Sequence, residues 1–549
     1  MSVRDRWYQD AVVYCLDVET FHDANGDGIG DFVGLKEKLD HIAGLGATCL
    51  WLLPFYPTPN RDNGYDVMDH YSVDPRLGTL GDFVEFVRAA EARGLRVIVD
   101  LVVNHTSDQH PWFQEARDPS SDKHDWYVWS DERPADHDEG VVFPGPQDTI
   151  WTYDRKAKQY YLHRFYEHQP DLNIANPAVR AEIERVMGFW LRLGVSGFRI
   201  DAAPFLIELK GIDGAAGDTD PYAYLRDFRT FVSWRRGDAV LLAEANVAPE
   251  KTPEYFGDGD KLHMLFHFVA NQHLFLALAR QRKAPLERGL LLPPSPPEAG
   301  QWATFLRNHD ELDLGRLTEA QRDEVAAAFA PEESMWVYGR GPRRRLPPML
   351  GGDAARVRMA YSLMLSLPGT PVIRYGEEIG MGDDLSLPER TAVRTPMQWS
   401  SKTNGGFSSA DEGDLVRPVI DEGPFGFEAV NVDRQRREPD SLLLWMERAI
   451  RARKEVDVFG RGDWHLVDTT HEAVFAHVCG RDGTVAAAVH NLSDAEAEVA
   501  LDLSPYAERT PLDLLDPGDD APALDDGVLR LTLPPYGFRW FRLEEEGRR

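Results

Sequence analysis

Short apolar runs rich in β-branched residues alternate along most of the chain with longer segments of helical periodicity, such as Asp82–Arg93, Val179–Leu193 and Ala355–Leu367. The runs are Val12–Val18, Cys49–Phe55, Leu95–Val103, Gly197–Ala202, Val240–Ala245, Leu262–Phe268, Trp302–Arg307 and Thr370–Tyr375. Strands that alternate with helices form a parallel sheet, and eight of them close a barrel. We therefore predict an α/β fold, a (β/α)8 TIM barrel. A doubly wound open sheet is the alternative, but no glycine-rich phosphate loop follows the first run.

Two regions interrupt this alternation. Residues 105–168, between the third and fourth runs, are polar and rich in Trp, Tyr, Asp and His, and a loop of that length needs structure of its own. We predict that they form a subdomain inserted over the barrel mouth. From residue 460 onward, alternating runs such as Ala473–Val478, Val485–His490 and Tyr536–Leu543 predict a C-terminal antiparallel β-sandwich domain at 460–549. The barrel would then comprise residues 1–104 and 169–459.

Charge and cysteine usage narrow the class of protein. The 549 residues carry a formal net charge of -31, which disfavours nucleic acid and anionic membranes as partners and favours a neutral substrate. Cys15, Cys49 and Cys479 are far apart, and two of them lie in predicted strands, so we expect buried free thiols. The sequence begins without an apolar leader and has no stretch apolar enough to span a membrane. We expect a cytoplasmic protein, with a homo-oligomer left open.

Charged and polar side chains lie at or just beyond the C-terminal ends of several predicted strands. They are Arg199, Asp201, Glu244, Asp310, His105 and His309. Since barrel chemistry lies at the C-terminal ends of the strands, we expect these side chains to meet at one mouth. Cleaving or transferring a glycoside needs two carboxyl groups, one as nucleophile and one as proton donor, and a third can hold sugar hydroxyls. A lone carboxylate there would be a surface charge, but three at matched strand ends indicate an active site.

The segments around these residues resemble four signature regions of glycoside hydrolase family 13, the α-amylase family, and 169–173 resembles its fifth. The resemblance extends over essentially the whole chain. It implies that Asp201 is the nucleophile, Glu244 the general acid/base and Asp310 the stabiliser of the transition state. Arg199 would keep Asp201 ionised, whereas Glu244 needs surroundings that raise its pKa.

The same resemblance implies which groups bind the sugar. His105 and His309 would donate to sugar hydroxyls, although histidines satisfied within the core are the alternative. The segment containing Asp62 and Tyr65 resembles the pocket of exo-acting members, in which the acid binds a terminal hydroxyl and the tyrosine stacks under glucose. Arg394 resembles the arginine that pairs with that acid and closes the pocket. For Asp62, a turn residue is the structural alternative.

Oxygen-bearing side chains alternate with glycines near the start of the chain, as in the first part of an EF-hand loop. The predicted Ca²⁺ ligands there are Asp23, Asn25, Asp27, Asp31 and the Ile29 carbonyl. A solvated turn is the alternative, and the role of the ion would be structural. A second calcium site is implied only by resemblance to relatives, and its ligands would be Asn104, Asp171, Glu208 and backbone oxygens near Phe205.

Within the family, the chain most resembles the members that isomerise maltose and trehalose, as in Trp51–Pro57 and Asn104–Phe113. A small neutral α-glucoside of this kind is therefore the expected substrate. The chain departs from those members at Val18–Phe21, Lys210–Tyr224, Asn246–Ala248 and Leu387–Ala392, which are expected to flank the leaving-group side. The acceptor stays open: expelled glucose in an isomerase, water in a hydrolytic α-glucosidase, or another alcohol in a transglucosidase. A non-catalytic relative would not need the three carboxyl groups.

Overall fold

The computed structural model describes residues 6–208, 210, 220–516 and 523–545. Eight parallel strands form a closed barrel in which each strand pairs with its neighbours in chain order and the last pairs with the first. They are Val13–Leu16, Cys49–Leu52, Arg96–Leu101, Gly197–Ile200, Val240–Ala243, Met264–Phe266, Gln301–Thr304 and Thr370–Arg374. The predicted barrel is confirmed. Each strand is shorter than its apolar run because residues such as Phe55 and Val103 stay buried after leaving the ladder.

Alternate side chains of each strand enter two different parts of the core. Val13 and Cys15 pack inside the barrel, whereas Tyr14 and Leu16 pack between the barrel and the helices around it. This alternation follows from the two-residue repeat of a strand and explains why the runs are apolar on both faces. The three cysteines are buried free thiols.

Helices surround the barrel, and the helices at the three predicted segments begin and end within two residues of the predicted bounds. The longer ones are Leu39–Leu45, Leu80–Glu91, Pro177–Arg192, Ala223–Arg235, Phe268–Arg280, Ala284–Leu291, Glu319–Phe329, Ala354–Ser366 and Leu442–Glu455. Helices of six residues or fewer occupy Phe32–Glu37, Pro111–Ala116, Ala203–Leu206, Thr252–Phe256, Leu346–Met349, Val432–Gln435 and Val458–Arg461. Polar caps define where several begin: Asn176, for example, accepts a hydrogen bond from the Ala178 amide while Pro177 opens the helix. In the part of the chain described, no helix is long and apolar enough to cross a membrane.

A small antiparallel sheet lies between the third and fourth barrel strands, formed by Trp129–Ser130, Trp151–Asp154 and Gln159–Leu162. Its two connections to the barrel run side by side, since His105 forms a β-bridge with Asp171 and Tyr127 one with Leu172. The inserted region is therefore anchored where the third strand ends. The boundaries proposed for it, 105 and 168, stay a prediction.

The C-terminal strands form two antiparallel sheets that enclose a separate apolar cluster, as a sandwich requires. They are Asp463–Leu466, Val474–Arg481, Thr484–Asn491, Ala497–Asp502, Arg509–Asp513, Val528–Leu533 and Phe538–Glu545. The larger sheet docks on the helix before the last barrel strand, where Ser362 contacts His490 and Trp540 at 2.9 and 3.0 Å. The predicted boundary at 460 falls within the short helix Val458–Arg461.

Candidate active site

The guanidinium of Arg199 joins two of the predicted catalytic carboxyl groups. Asp201 follows the fourth barrel strand and Glu244 the fifth, and the register of these parallel strands sets the two side by side. Arg199 Nη1 donates to Asp201 Oδ1 at 2.5 Å, and its Nη2 donates to Glu244 Oε2. Retaining glycosidases hold their two carboxyl groups about 5–5.5 Å apart, and the shared guanidinium brings this pair together in the same manner.

Asp100 is a third carboxyl group on the same arginine, and sequence reasoning missed it. Its Oδ1 accepts from Arg199 Nη1 at 2.6 Å, and its Oδ2 accepts from Trp51 Nε1 at 3.1 Å and from the Tyr65 hydroxyl at 3.3 Å. Burial raises the pKa of Asp100 to about 7, although Arg199 opposes the shift. The available signal was a carboxylate within the apolar strand Arg96–Leu101, because a buried charge needs a partner.

Glu244 has the electrostatic setting of a proton donor. Burial raises its pKa to about 8, and the negative charges of Asp201 and Asp310 add to the shift. Arg199 acts in the opposite direction without cancelling it. Glu244 is therefore protonated at neutral pH, as a general acid must be.

Asp310 has the opposite setting, because two arginines and a histidine surround it. Arg390 Nη1 and Arg394 Nη2 donate to its Oδ1 at 2.9 and 2.6 Å, and His309 Nε2 lies 3.3 Å from Oδ2. Burial by itself would raise the pKa of Asp310, but these neighbours hold it well below the usual range. Asp310 therefore stays anionic.

The predicted pairing of Arg394 with Asp62 is wrong, and Arg390 takes that place. Arg390 Nη2 contacts Asp62 Oδ1 at 2.9 Å, so one guanidinium bridges Asp62 and Asp310. Arg394 instead binds Asp310 and the His309 carbonyl, the latter at 2.7 Å. Arg390 lies in the 3-10 helix Glu389–Val393 and Arg394 is the residue that caps its C-terminal end, so the two side chains reach different partners. The signal was a second arginine four residues before Arg394, in a segment that sequence analysis treated only as a departure.

The aromatic and histidine residues predicted to bind sugar cluster beside these carboxyl groups. Tyr65 stacks on His309 with a ring distance of 5.6 Å, and its hydroxyl lies 2.8 Å from His309 Nε2. His105 Nε2 lies 3.1 Å from the Tyr65 carbonyl oxygen. Burial holds the pKa of His309 well below its usual value, so its imidazole is neutral. His309 thus supports Tyr65, whereas Tyr65 and His105 face the cavity.

A cavity of about 640 Å³ opens at the barrel mouth over these groups, a volume that suits a disaccharide. Among the predicted residues its wall contains Asp62, Tyr65, His105, Asp201, Glu244 and Asp310. Arg199, His309 and Arg394 bind wall residues from behind. Asn246 and Val247, from one departing segment, also line it. Glu19, from another, is instead buried against Arg417 and Arg76.

The inserted region closes one side of this cavity through Phe143. The Phe143 ring lies 4.5 Å from that of Tyr338 and 4.9 Å from the Arg390 guanidinium. The hydroxyls of Tyr166 and Tyr338 both donate to Glu389 Oε2 at 2.9 Å. We call this set of residues the Phe143 cover. It joins the inserted region to two barrel loops, and sequence reasoning had not identified it.

The first predicted calcium loop is closed by its own hydrogen bonds. Asp23 accepts from the amides of Gly26 and Gly28 at 2.7 and 2.8 Å and from the Ser408 hydroxyl at 2.6 Å. Asp31 accepts from the amides of Ala24 and Gly34, while Asn25 and Asp27 are exposed. Across the described ranges, no three His, Cys, Asp or Glu side chains form a group suited to a metal ion. A calcium site here would depend on carbonyl and amide oxygens, and it stays a prediction.

The second predicted set does not fit a calcium ion. The ammonium group of Lys210 lies between two of its members, 2.8 Å from Asn104 Oδ1 and 2.8 Å from Asp171 Oδ2. The third, Glu208, pairs with Arg164 at 2.7 Å. The Lys210 ammonium therefore lies where the metal ion was expected, and the carboxylate of Glu208 is paired with Arg164.

Comparisons with known proteins agree with this architecture. The family model "Alpha amylase, catalytic domain" matches residues 17–462, and "Sucrose hydrolase-like, C-terminal domain" matches 483–542. The chain therefore belongs to the α-amylase family of barrel enzymes. It is 44% identical to a trehalose synthase of Thermus thermophilus over 98% of its own length but spans only 56% of that relative.

Two further similarities refine the comparison. A trehalose synthase of Pimelobacter sp. is 42% identical, with 98% of this chain and 96% of the relative covered. A crystal structure of an α-amylase from H. orenii superposes with a TM-score of 0.78 at 27% identity, and 97% of this chain and 99% of that one are covered.

If Glu244 is the proton donor, glycoside cleavage will fail as the pH rises through its pKa. We expect kcat/KM on maltose to fall above about pH 8, because the active protonated form is lost there. With α-glucosyl fluoride, whose leaving group needs no proton, the alkaline fall should disappear. Glu244→Gln should lose kcat/KM on maltose and keep much of kcat/KM on the fluoride, while kcat on the fluoride falls because the second step has lost its base. An alkaline fall that is the same for both substrates would assign it to another group.

Arg390 should matter for binding terminal glucose because it neutralises two carboxylates of the pocket. Hydrogen bonds to charged groups contribute about 1.5–3 kcal/mol each, so Arg390→Ala should lower kcat/KM about 100-fold or more. Arg390→Lys keeps the positive charge but lacks the two-pronged guanidinium that reaches both acids. Its kcat/KM should lie between those of the natural protein and Arg390→Ala. Steady-state kinetics measures both, with circular dichroism to verify folding. An Arg390→Ala enzyme of unchanged kcat/KM would disprove the role.

Proposed function

We propose that the protein interconverts maltose and trehalose through a covalent glucosyl-enzyme intermediate. The observation that carries this is the arrangement of two carboxyl groups on one guanidinium beside a pocket closed by Asp62 and Arg390. A closed end selects a terminal glucose, which both disaccharides offer. Sequence identities of 44% and 42% to two trehalose synthases support the same activity.

In the first step Asp201 attacks the anomeric carbon, and the bond to the glycosidic oxygen breaks while an ester to the carboxylate forms. Glu244 delivers its proton to that oxygen, so that neutral glucose leaves. Arg199 Nη1 donates a hydrogen bond to Asp201 Oδ1 at 2.5 Å and so holds the carboxyl group in place for the attack. Asp310, held ionised by two arginines, faces the developing positive charge and the ring hydroxyls.

In the second step the expelled glucose attacks the ester through a different hydroxyl. Glu244, now a carboxylate, takes the proton of that hydroxyl, and Asp201 leaves. Attack by the anomeric hydroxyl gives trehalose, and attack by the 4-hydroxyl gives maltose. The glucose must turn inside the cavity before water arrives, which requires a cover. The Phe143 cover joins the inserted region to the barrel at this point and supports such retention.

Hydrolysis is the second candidate, favoured by the departing residues on the acceptor side. Asn246 and Val247 line the cavity. Arg316 contacts the backbone oxygen of Asn246 and, at 3.3 Å, its side-chain oxygen. If this wall does not hold the expelled glucose, water will take its place and the enzyme will act as a retaining α-glucosidase.

Two further properties belong to this proposal. A structural calcium ion in the Asp23–Asp31 loop is supported by the spacing of its oxygen-bearing residues. A cytoplasmic location is supported by the three buried free thiols, which suit a reducing compartment. A homo-oligomer also stays a prediction.

A time course of products from maltose, and separately from trehalose, tests the reaction. We expect each disaccharide to yield the other, with little free glucose, and Asp201→Asn to abolish both conversions. Chromatography of the products with an internal standard is the measurement. Glucose as the main product would establish the hydrolase instead, and no turnover of either sugar would exclude both disaccharide activities.

The calcium proposal is tested by thermal unfolding in calcium and in EDTA. Calcium at about 100 times its Kd raises the free energy of unfolding by about 2.7 kcal/mol. Tm should therefore be higher by roughly 2 °C or more in calcium than in EDTA. Asp23→Asn should lose this increment. Ser408→Ala removes a hydrogen bond to Asp23 without changing charge. This variant should have a lower Tm in both buffers but should keep the increase of Tm in calcium. Equal Tm values of the natural protein in both buffers would contradict the site.

A further inference from the structure

Lys210 is buried at the root of the inserted region, with its side chain only 1% exposed. Its ammonium group is surrounded by four oxygens. Two belong to the side chains of Asn104 and Asp171, each at 2.8 Å. The others are the backbone oxygens of Asn104 and Leu172, at 3.5 and 3.4 Å. An ammonium group has three hydrogens to donate, so this shell can satisfy a lysine without water.

We propose that the Lys210 ammonium takes the place of a calcium ion as the cation that fastens the inserted region to the barrel. The surrounding oxygens are of the carboxylate, amide and carbonyl types that calcium prefers, and Asn104 and Asp171 were predicted to bind it. Their distances from Lys210 Nζ are those of hydrogen bonds and exceed the 2.3–2.6 Å of a calcium shell.

The charge balance favours one positive charge over two. Asp171 is the carboxylate in contact with the ammonium, and Glu208 is paired with Arg164 instead. Among the described residues, a lysine balances the charge of Asp171, whereas a divalent ion would leave an excess positive charge in a buried place. Because an unbalanced buried charge is strongly destabilising, the lysine is the better match here.

The position of this cation gives it a role in arranging the active site. Asn104 precedes His105, which lines the cavity, and Asp171 forms a β-bridge with His105. The Leu172 amide also donates to the Asn104 carbonyl at 2.9 Å. Lys210 therefore ties together the two connections of the inserted region directly behind His105. It acts as a positioning residue and does not touch the cavity wall.

Removing the ammonium should turn this place into a calcium site. Lys210→Ala leaves the oxygens in place, and we expect its Tm in EDTA to fall by several degrees and to recover at least half of that loss in millimolar calcium chloride. Isothermal titration with calcium should find one more bound ion per chain than in the natural protein. That difference separates this place from the Asp23–Asp31 loop, which both proteins share.

Two further variants make the test decisive. Lys210→Ala combined with Asp171→Asn removes the carboxylate and should lose the recovery. Lys210→Met fills the space of the lysine side chain without its charge, and it replaces Lys210→Ala in the test if that variant does not fold. Its Tm in EDTA should be lower than that of the natural protein. A Lys210→Ala protein with no additional calcium ion and no greater response to calcium than the natural protein would overturn the proposal. The proposal would also be overturned if Lys210→Ala and Lys210→Met each had the same Tm in EDTA as the natural protein.

Discussion

The active site depends on one buried positive charge, the guanidinium of Arg199. Asp100, Asp201 and Glu244 all contact it, although they come from three different strands or their ends. Three carboxyl groups so close together would repel one another and lose hydration, and a buried ion cluster is stable only when each charge has a partner. The arginine supplies that partner to all three. Burial nevertheless raises the pKa of both Asp100 and Glu244, although each contacts the guanidinium directly.

A second arginine organises the other end of the pocket. Arg390 bridges Asp62 and Asp310, and its guanidinium also lies over Phe143 of the inserted region. The two acids at this end of the pocket and the inserted region therefore share one side chain as a partner. This linkage gives a physical reason for the pocket to be assembled only when the inserted region is in place.

At the base of the inserted region, the Lys210 ammonium lies between residues that were predicted to bind calcium. A metal ion and a lysine ammonium can bind the same carboxylate and carbonyl oxygens, but they differ in charge and in preferred distance. The pairing of Glu208 with Arg164 leaves Asp171 as the one negative charge that the described residues place beside Lys210, which suits the ammonium. The ligand types by themselves therefore did not reveal which cation is present, because the choice depends on all the charges nearby.

The sequence by itself determined the barrel, its eight strands and the places of Asp201, Glu244 and Asp310. These depend on local periodicity and on the rule that parallel strands end at one face, so neighbouring residues carry the information. Partnerships between distant segments were decided only by the tertiary structure. Asp62 pairs with Arg390 and not Arg394, and Lys210 meets Asp171, because those contacts depend on how loops of different length cross the barrel mouth. Loop paths follow from packing and charge in three dimensions, which no pattern along the chain records.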